Sequence, residues 1–320
     1  MRFRARFSVA TVLLAVLLGA CAAASPSASA PPSSGYPGWP ASGGAVGDPD
    51  LVPALISSEQ AVGYNRVLVS GFDSEGRSLA SPDVAFDVRF FDLASDPAEP
   101  AIEVDGEFHW LLDDPAGAQV GVYVARADFA RAGDWGLELV AHLADGTQRR
   151  SRLSFTVSLT TTTPALGAAA PASDTLTATD ANAIARISSD ANPDPDLYRL
   201  SISDAIAAGK PFVVVFATPA FCTSATCGPA LELVKQVKPE YADRVTFIHV
   251  EPYEIEVELG QRKLKVGPDG YPISVPAVTE WGIPSEPYVF VVDAQGRVSA
   301  KFEGPAAVEE LRAALEELTY

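Results

Sequence analysis

The run Phe212-Val213-Val214-Val215-Phe216, held between Pro211 and Ala217, limits the fold more than any other feature of these 320 residues. A strand with one wet face alternates apolar and polar side chains. Five large apolar residues in succession, three of them β-branched, instead require cover on both faces, as in the central strand of an α/β sheet. The flanking sequence supplies that cover. Upstream, Ser203 and Asp204 open a short helix that Gly209 closes and Pro211 keeps from continuing. Downstream, Leu231, Val234, Val237 and Tyr241 recur at helical spacing, followed by an apolar strand over 245–250. A short helix near 278–282, a strand over 288–292, a turn at Ala294-Gln295-Gly296, a strand near Val298 and an amphipathic helix over 308–318 complete an α/β region spanning 179–320.

The residues before it carry a different period. Val84, Phe86, Val88 and Phe90 alternate with Ala85, Asp87 and Arg89, as a half-buried strand does. Leu137, Leu139, Ala141 and Leu143 repeat the pattern, and so do Leu153, Phe155 and Val157. Turn chemistry separates such runs at Asp73-Ser74-Glu75-Gly76, Asp114-Pro115-Ala116-Gly117 and Ala144-Asp145-Gly146-Thr147. Short strands without a convincing helix predict an all-β sandwich over 48–159. The stretch Gly121-Val122-Tyr123-Val124 through Phe129, Gly133, Asp134 and Trp135 resembles the immunoglobulin-like sandwiches of exported bacterial proteins, including the YtkA-like kind. Residues 160–178, with Thr160 to Thr163 in succession, then Pro164 and an Ala-rich run, read as an interdomain linker.

The first twenty residues predict an export signal: basic Arg2, Arg4 and Arg6, an apolar run over 9–18, then small residues. That run is too short to span a bilayer comfortably. It ends in Leu18-Gly19-Ala20-Cys21, which resembles the bacterial lipobox; this implies cleavage before Cys21, a diacylglycerol on its sulfur, and residence on the outer face of the cytoplasmic membrane. An ordinary secretory signal is the alternative. Residues 21–47 are Ala, Ser, Pro and Gly with almost no large aliphatic side chains, the composition of a flexible tether. Formal charge is -18 with no basic patch, which disfavours nucleic acid as a partner. Besides Cys21, only Cys222 and Cys227 remain, and in an oxidising compartment so close a pair favours a disulfide over two thiols.

The order of elements around this pair resembles the thioredoxin superfamily, closest to its membrane-bound TlpA-like members. Phe216-Ala217-Thr218 before the cysteines, Gly228-Pro229 after them, and Trp281-Gly282-Ile283-Pro284-Ser285-Glu286-Pro287-Tyr288-Val289-Phe290-Val291-Val292-Asp293 carry the likeness, which spans the second region. It implies thiol–disulfide exchange with extracytoplasmic protein thiols, with Cys222 attacking, Cys227 resolving, and Pro287 in cis facing them. A thiol at a helix start meets unpaired backbone N–H groups and the positive end of the dipole, which favour the attacking thiolate. Two departures stand out. Four residues separate Cys222 from Cys227 where the family has two, which predicts that Cys222 sits in an enlarged loop with weaker help from the dipole. Val214 stands where many thioredoxins keep a buried acid.

Those departures support a second reading, a non-enzymatic binding or scaffold lipoprotein whose cysteines only clip a loop. A third, in which Cys222, Cys227 and His249 imitate SCO-like copper chaperones, is weakened by the wrong cysteine spacing and by Met1 as the sole methionine. His109 and His142 read as isolated strand residues, and Glu251, Glu254, Glu256 and Glu258 as a solvated face. No phosphate-binding glycine loop or catalytic-serine motif is present, and the residues call for no cofactor or metal.

Overall fold

The computed structural model describes residues 35–41, 43–113, 119–223 and 226–318. The export signal, Cys21 and the Asp114 to Gly117 turn lie outside the described residues. Strands come first: β1 (Ala45–Gly47), β2 (Val52–Leu55), β3 (Gly63–Phe72), β4 (Ala85–Asp92), β5 (Ile102–Asp105), β6 (Glu107–Asp113), β7 (Gln119–Phe129), β8 (Gly133–His142) and β9 (Gln148–Val157). They form two antiparallel sheets, ordered β1-β9-β8-β4-β5 and β2-β3-β7-β6. Alternation sets their common core. Phe86, Val88 and Phe90 of β4 and Leu137 and Leu139 of β8 turn inward to meet Val67 and Val69 of β3 and Tyr123 and Ala125 of β7. Phe90, Phe129, Trp135 and Phe155 close it with edge-on ring contacts. The Asp73 and Asp145 turns form as the sequence predicts, each with a glycine at positive φ.

This β-rich part begins earlier than Asp48. Trp39, only 3% exposed, packs on Phe91 and Leu93, and β1 pairs with β9 from Ala45 to Gly47. Residues 36–41 and 43–47 therefore belong with the sheets and not with a tether. Two aromatic residues in a run of small ones suffice: Tyr36 packs on this cluster, and Gly136 leaves bare the surface on which the Trp39 ring lies, where a Cβ would come within 2.3 Å of it.

The second part is built around the apolar run. It contains α1 (Ala181–Ile184), α2 (Ile202–Ala207), β10 (Phe212–Phe216), α3 (Cys227–Tyr241), β11 (Thr246–Val250), β12 (Ile255–Glu258), β13 (Gln261–Leu264), α4 (Pro276–Glu280), β14 (Tyr288–Val292), β15 (Val298–Glu303) and α5 (Val308–Glu317). Strands order as β11-β10-β14-β15, with β11 parallel to β10 and β14 antiparallel to it. Val213 and Val215 of β10 point to one side, where α3 and α5 supply Leu231, Val234, Val237, Leu311 and Leu315. Phe212, Val214 and Phe216 point to the other, against Ile202 and Ala205 of α2, Ala277 of α4, and Trp281. The run thus serves two cores, which is why it could spare no polar residue. Helix α2 starts at Ser201 rather than Ser203, because Ser201 and Asp204 cap each other's backbone N–H reciprocally. The β12–β13 hairpin has no counterpart in the sequence reading. Among the described residues no helix is long and apolar enough to cross a membrane.

Residues 160–178 run in extended contact with this second sheet. Gly167 N–H donates to Val298 O at 2.8 Å and Val298 N–H to Ala168 O at 2.9 Å, while Ala170, Ser173 and Ala178 are buried. Thr162 N–H donates to the Glu59 carboxylate at 2.8 Å, and Thr163 Oγ1 reaches the same group. Gly282, at φ +59, lets the Thr162 carbonyl approach to where a Cβ would lie 2.2 Å away. Next to this seam Arg66 of β3 forks onto Glu310 of α5 at 2.9 and 2.8 Å and donates to the carbonyls of Glu303 and Pro305 at 3.1 and 3.2 Å.

Candidate functional site

Strand β10 ends at Phe216, and the chain turns through Ala217 and Thr218 to reach the cysteines before α3 begins at Cys227. The structure brings the pair together. Both are thiols, Cys222 partly exposed and Cys227 buried beneath it. The Cys227 backbone N–H, first of the orphan donors at the start of α3, donates to Cys222 Sγ at 3.3 Å. The sequence reading puts Cys222 in an enlarged loop with weaker help from the dipole; its sulfur nonetheless lies at the first N–H of α3. A hydrogen bond with Cys222 and burial together push the Cys227 thiol far up, with the Thr218 backbone N–H opposing them. The two sulfurs thus differ in their exposure to solvent.

Pro287 follows a cis peptide bond from Glu286 at the entrance to β14, and its carbonyl accepts from Gly304 N–H at 2.8 Å. Glu286 and the two sulfurs influence one another electrostatically. Tyr253, just past β11, donates its hydroxyl to Glu286 at 3.2 Å and also feels both sulfurs. Neither residue has a role in the sequence reading. Glu286 lies within the quoted motif as a mere neighbour of Pro287, and Tyr253 has no periodic or motif signal.

Glu251 requires a correction. Expected on a solvated acidic face, it is 4% exposed, whereas Glu256 and Glu258 on β12 are exposed. Its carboxylate accepts the Ser189 N–H at 2.8 Å and lies beside Thr218; burial raises it from 4.5 to about 7 against those hydrogen bonds and the Arg262 charge. Glu251 is a buried acid near the segment that leads to the cysteines, while Val214, buried between Ile248 and Phe290, has none nearby on its own strand. One signal was available: Glu251 directly follows an apolar strand parallel to β10, and strand C-terminal ends are where such sheets place their sites.

His249 is a core residue. Its Nε2 donates to Ala217 O at 2.9 Å and its Nδ1 accepts the Tyr198 hydroxyl at 2.9 Å, so both nitrogens are engaged and burial lowers the ring to about 4. It fixes the turn that leads to the cysteines and does not aim at them. His109 on β6 lies 3.4 Å from Glu107, and His142 on β8 lies 3.0 Å from Asp87, both on the antiparallel sheets. Among the described residues no cluster of three or more His, Cys, Asp or Glu side chains is arranged to hold a metal ion. No protein-family model and no curated protein matches the chain.

Proposed function

We propose that the chain is a membrane-anchored, extracytoplasmic thioredoxin-like protein that exchanges disulfides with protein thiols, Cys222 attacking, Cys227 resolving and Pro287 positioning the incoming chain. One observation carries this reading: a partly exposed Cys222 sulfur at the first backbone N–H of α3, with a second, buried sulfur beside it. The mixed sheet with helices on both sides supports a thioredoxin-like fold for 179–320, and the two facing antiparallel sheets support an immunoglobulin-like spacer or docking module before it. Insulin reduction and a measured reduction potential test the activity. Cys222→Ser is expected to reduce insulin no faster than the uncatalysed reaction, and a Cys222→Ser protein as active as the parent rejects the assignment.

The burial of Cys227 favours a second reading, a binding or scaffold protein whose pair is only a clip. Trapping separates the two. With Cys227→Ser, exchange predicts mixed disulfides accumulating on Cys222, whereas a clip predicts none and resists mild reductant.

The anchor is a separate part of the proposal. Acylation of Cys21 holds the chain at the membrane because each buried methylene contributes about 0.8 kcal/mol. Cys21→Ser is expected to move the protein from the membrane pellet to the soluble fraction, and its retention in the pellet removes the lipid from the account.

A further inference from the structure

A cavity of about 780 Å³ opens between β15 and α5 on one side and the start of β3 and residues 159–166 on the other. Its size is that of a ligand pocket, and junctions between domains are where such pockets collect. Four large apolar side chains on its wall stand in water: Val62, Tyr64, Leu159 and Leu166, with Leu159 74% exposed and Tyr64 57% exposed. Phe302, Ala300 and Ala314 continue the apolar surface inward. Large apolar side chains gathered round one opening mark a place where something else binds.

One wall is also an open strand edge. In the order β11-β10-β14-β15, β15 has a strand on one side only. Gly304 N–H donates to Pro287 O, so backbone groups in step with Gly304 face β14, and those of Lys301 and Glu303, out of step with it, face away. Upstream, Gly167 and Ala168 cover this edge at Val298; downstream, the Arg66 guanidinium takes the Glu303 carbonyl. Between these two covers, the N–H groups of Lys301 and Glu303 and the Lys301 carbonyl have no hydrogen-bond partner among the described residues. Donors and an acceptor side by side on a strand edge form the pattern that an added strand completes.

Charge decides what kind of chain can enter. Arg66 forks onto Glu310, and Arg126 lies between Glu310 and Glu107. The Lys301 ammonium donates to the Thr161 and Thr163 hydroxyls at 3.2 and 2.8 Å, with Glu59 at 3.6 Å. Glu303 accepts the Ser58 N–H at 2.7 Å and the Ser285 hydroxyl at 3.1 Å. Of the charged residues on the wall only Glu317, exposed on α5, stands outside such contacts. A charged group carried inward would lose its water and find no free counter-ion, a cost that an uncharged one avoids. A phosphate or lipid headgroup is disfavoured on that count, and an acyl chain has nothing to offer the Lys301 edge. We propose that this cavity binds an extended, uncharged segment of another polypeptide, added as a strand to β15 with its apolar side chains against Val62, Tyr64, Leu159 and Leu166. The cysteine pair takes no part in it.

The test uses the full chain and a set of synthetic peptides, each of three Thr-X repeats capped by acetyl and amide groups, with X as Val, Ile, Leu, Phe or Tyr. All are uncharged and favour an extended backbone. Calorimetry is expected to find micromolar binding of at least one of them. In that complex, hydrogen exchange read residue by residue is expected to be slowed about tenfold or more at the Lys301 and Glu303 amides. Methylation of alternate peptide nitrogens keeps the apolar surface and removes the donors of one edge; in one of its two phases it is expected to weaken binding about tenfold. Leu159→Ser and Leu166→Ser change exposed positions, so they should keep the parent's urea midpoint while each weakens binding about tenfold. Failure of every peptide to bind, unchanged exchange at Lys301 and Glu303 on binding, or parent affinity in both leucine variants overturns the proposal. Binding of decanoate that excludes the peptides makes the cavity an acyl site and overturns it as well. A dimer of this chain that Leu159→Ser dissociates, with no peptide bound, does the same in favour of a second copy.

Discussion

Replacing Arg66 with alanine is expected to lower the unfolding free energy by about 3–5 kcal/mol, the cost of stranding a buried charge. Both side chains of the Arg66–Glu310 pair are only 9% exposed. The guanidinium forks onto both carboxylate oxygens, gives two further N–H groups to the Glu303 and Pro305 carbonyls, and lies 5.7 Å from the centre of the Phe302 ring. Alanine would leave one buried carboxylate and two carbonyl oxygens without that donor. Arg126, 3.2 Å from Glu310, would remain, but at 43% exposure it is largely hydrated and compensates little. Burial alone would raise the Glu310 carboxyl; the Arg66 hydrogen bond and charge hold it below its ordinary value. That contribution is present above the ordinary carboxylate range and is lost as acid protonates the folded carboxyl, so the gap between parent and Arg66→Ala should narrow toward low pH. Arg66→Lys cannot reproduce the fork and should recover only part of the loss. The double change Arg66→Met with Glu310→Leu removes both charges together and should cost less than Arg66→Ala alone. Urea titrations of the parent and the three variants decide the matter. A loss under about 1 kcal/mol in Arg66→Ala would mean that water serves this pair as it serves surface pairs.

What could be read from the sequence was what local period carries. Phe212 to Phe216 declared a strand covered twice, and the alternation in β4, β8 and β9 declared strands with one buried face; each pattern lies within a single element and needs no knowledge of its partner. The cysteine pair and Pro287 were legible as chemistry: the Cys222 sulfur does lie at the Cys227 N–H, and the Glu286–Pro287 bond is cis. Polar partners distant in sequence were not legible. Thr162 and Glu59 are 103 residues apart, and nothing in a threonine run shows that a half-buried carboxylate awaits it, so a docked segment passed for a linker. Tyr253 and Glu286 are 33 residues apart and meet only because β11 and β14 flank β10. Trp39 was lost to averaging, a large side chain in a stretch read by its small ones. Glu251 was lost in the same way, as one buried member of an acidic series whose later members are exposed.

Glu251→Gln is expected to stabilise the protein by about 3 kcal/mol at pH 8 and by almost nothing at pH 4, since each tenfold change in an acid's ionisation constant corresponds to about 1.4 kcal/mol. The carboxyl titrates at about 7 in the folded chain and near its ordinary 4.5 when unfolded. Below 4.5 it is protonated in both states and costs nothing. As pH rises through 7 the folded chain must ionise it with its buried Oε2 on the Ser189 N–H, and the stability that the neutral form gave is lost. Glutamine keeps the shape and carries no charge. His249, two residues earlier, has the opposite sign: burial lowers it from 6.5 to about 4, so its contribution is present above 6.5 and is lost as pH falls through 4. In the parent these two titrations offset each other over the same range, the carboxyl gaining stability on acidification while the imidazole loses it. Removing the Glu251 charge unmasks the histidine. The difference between variant and parent, taken from urea titrations at several pH values, should therefore fall steadily from about pH 8 to about pH 4. A difference that stays constant across that range would show Glu251 to be ionised in the folded protein as readily as in water, and its burial to be compensated in full.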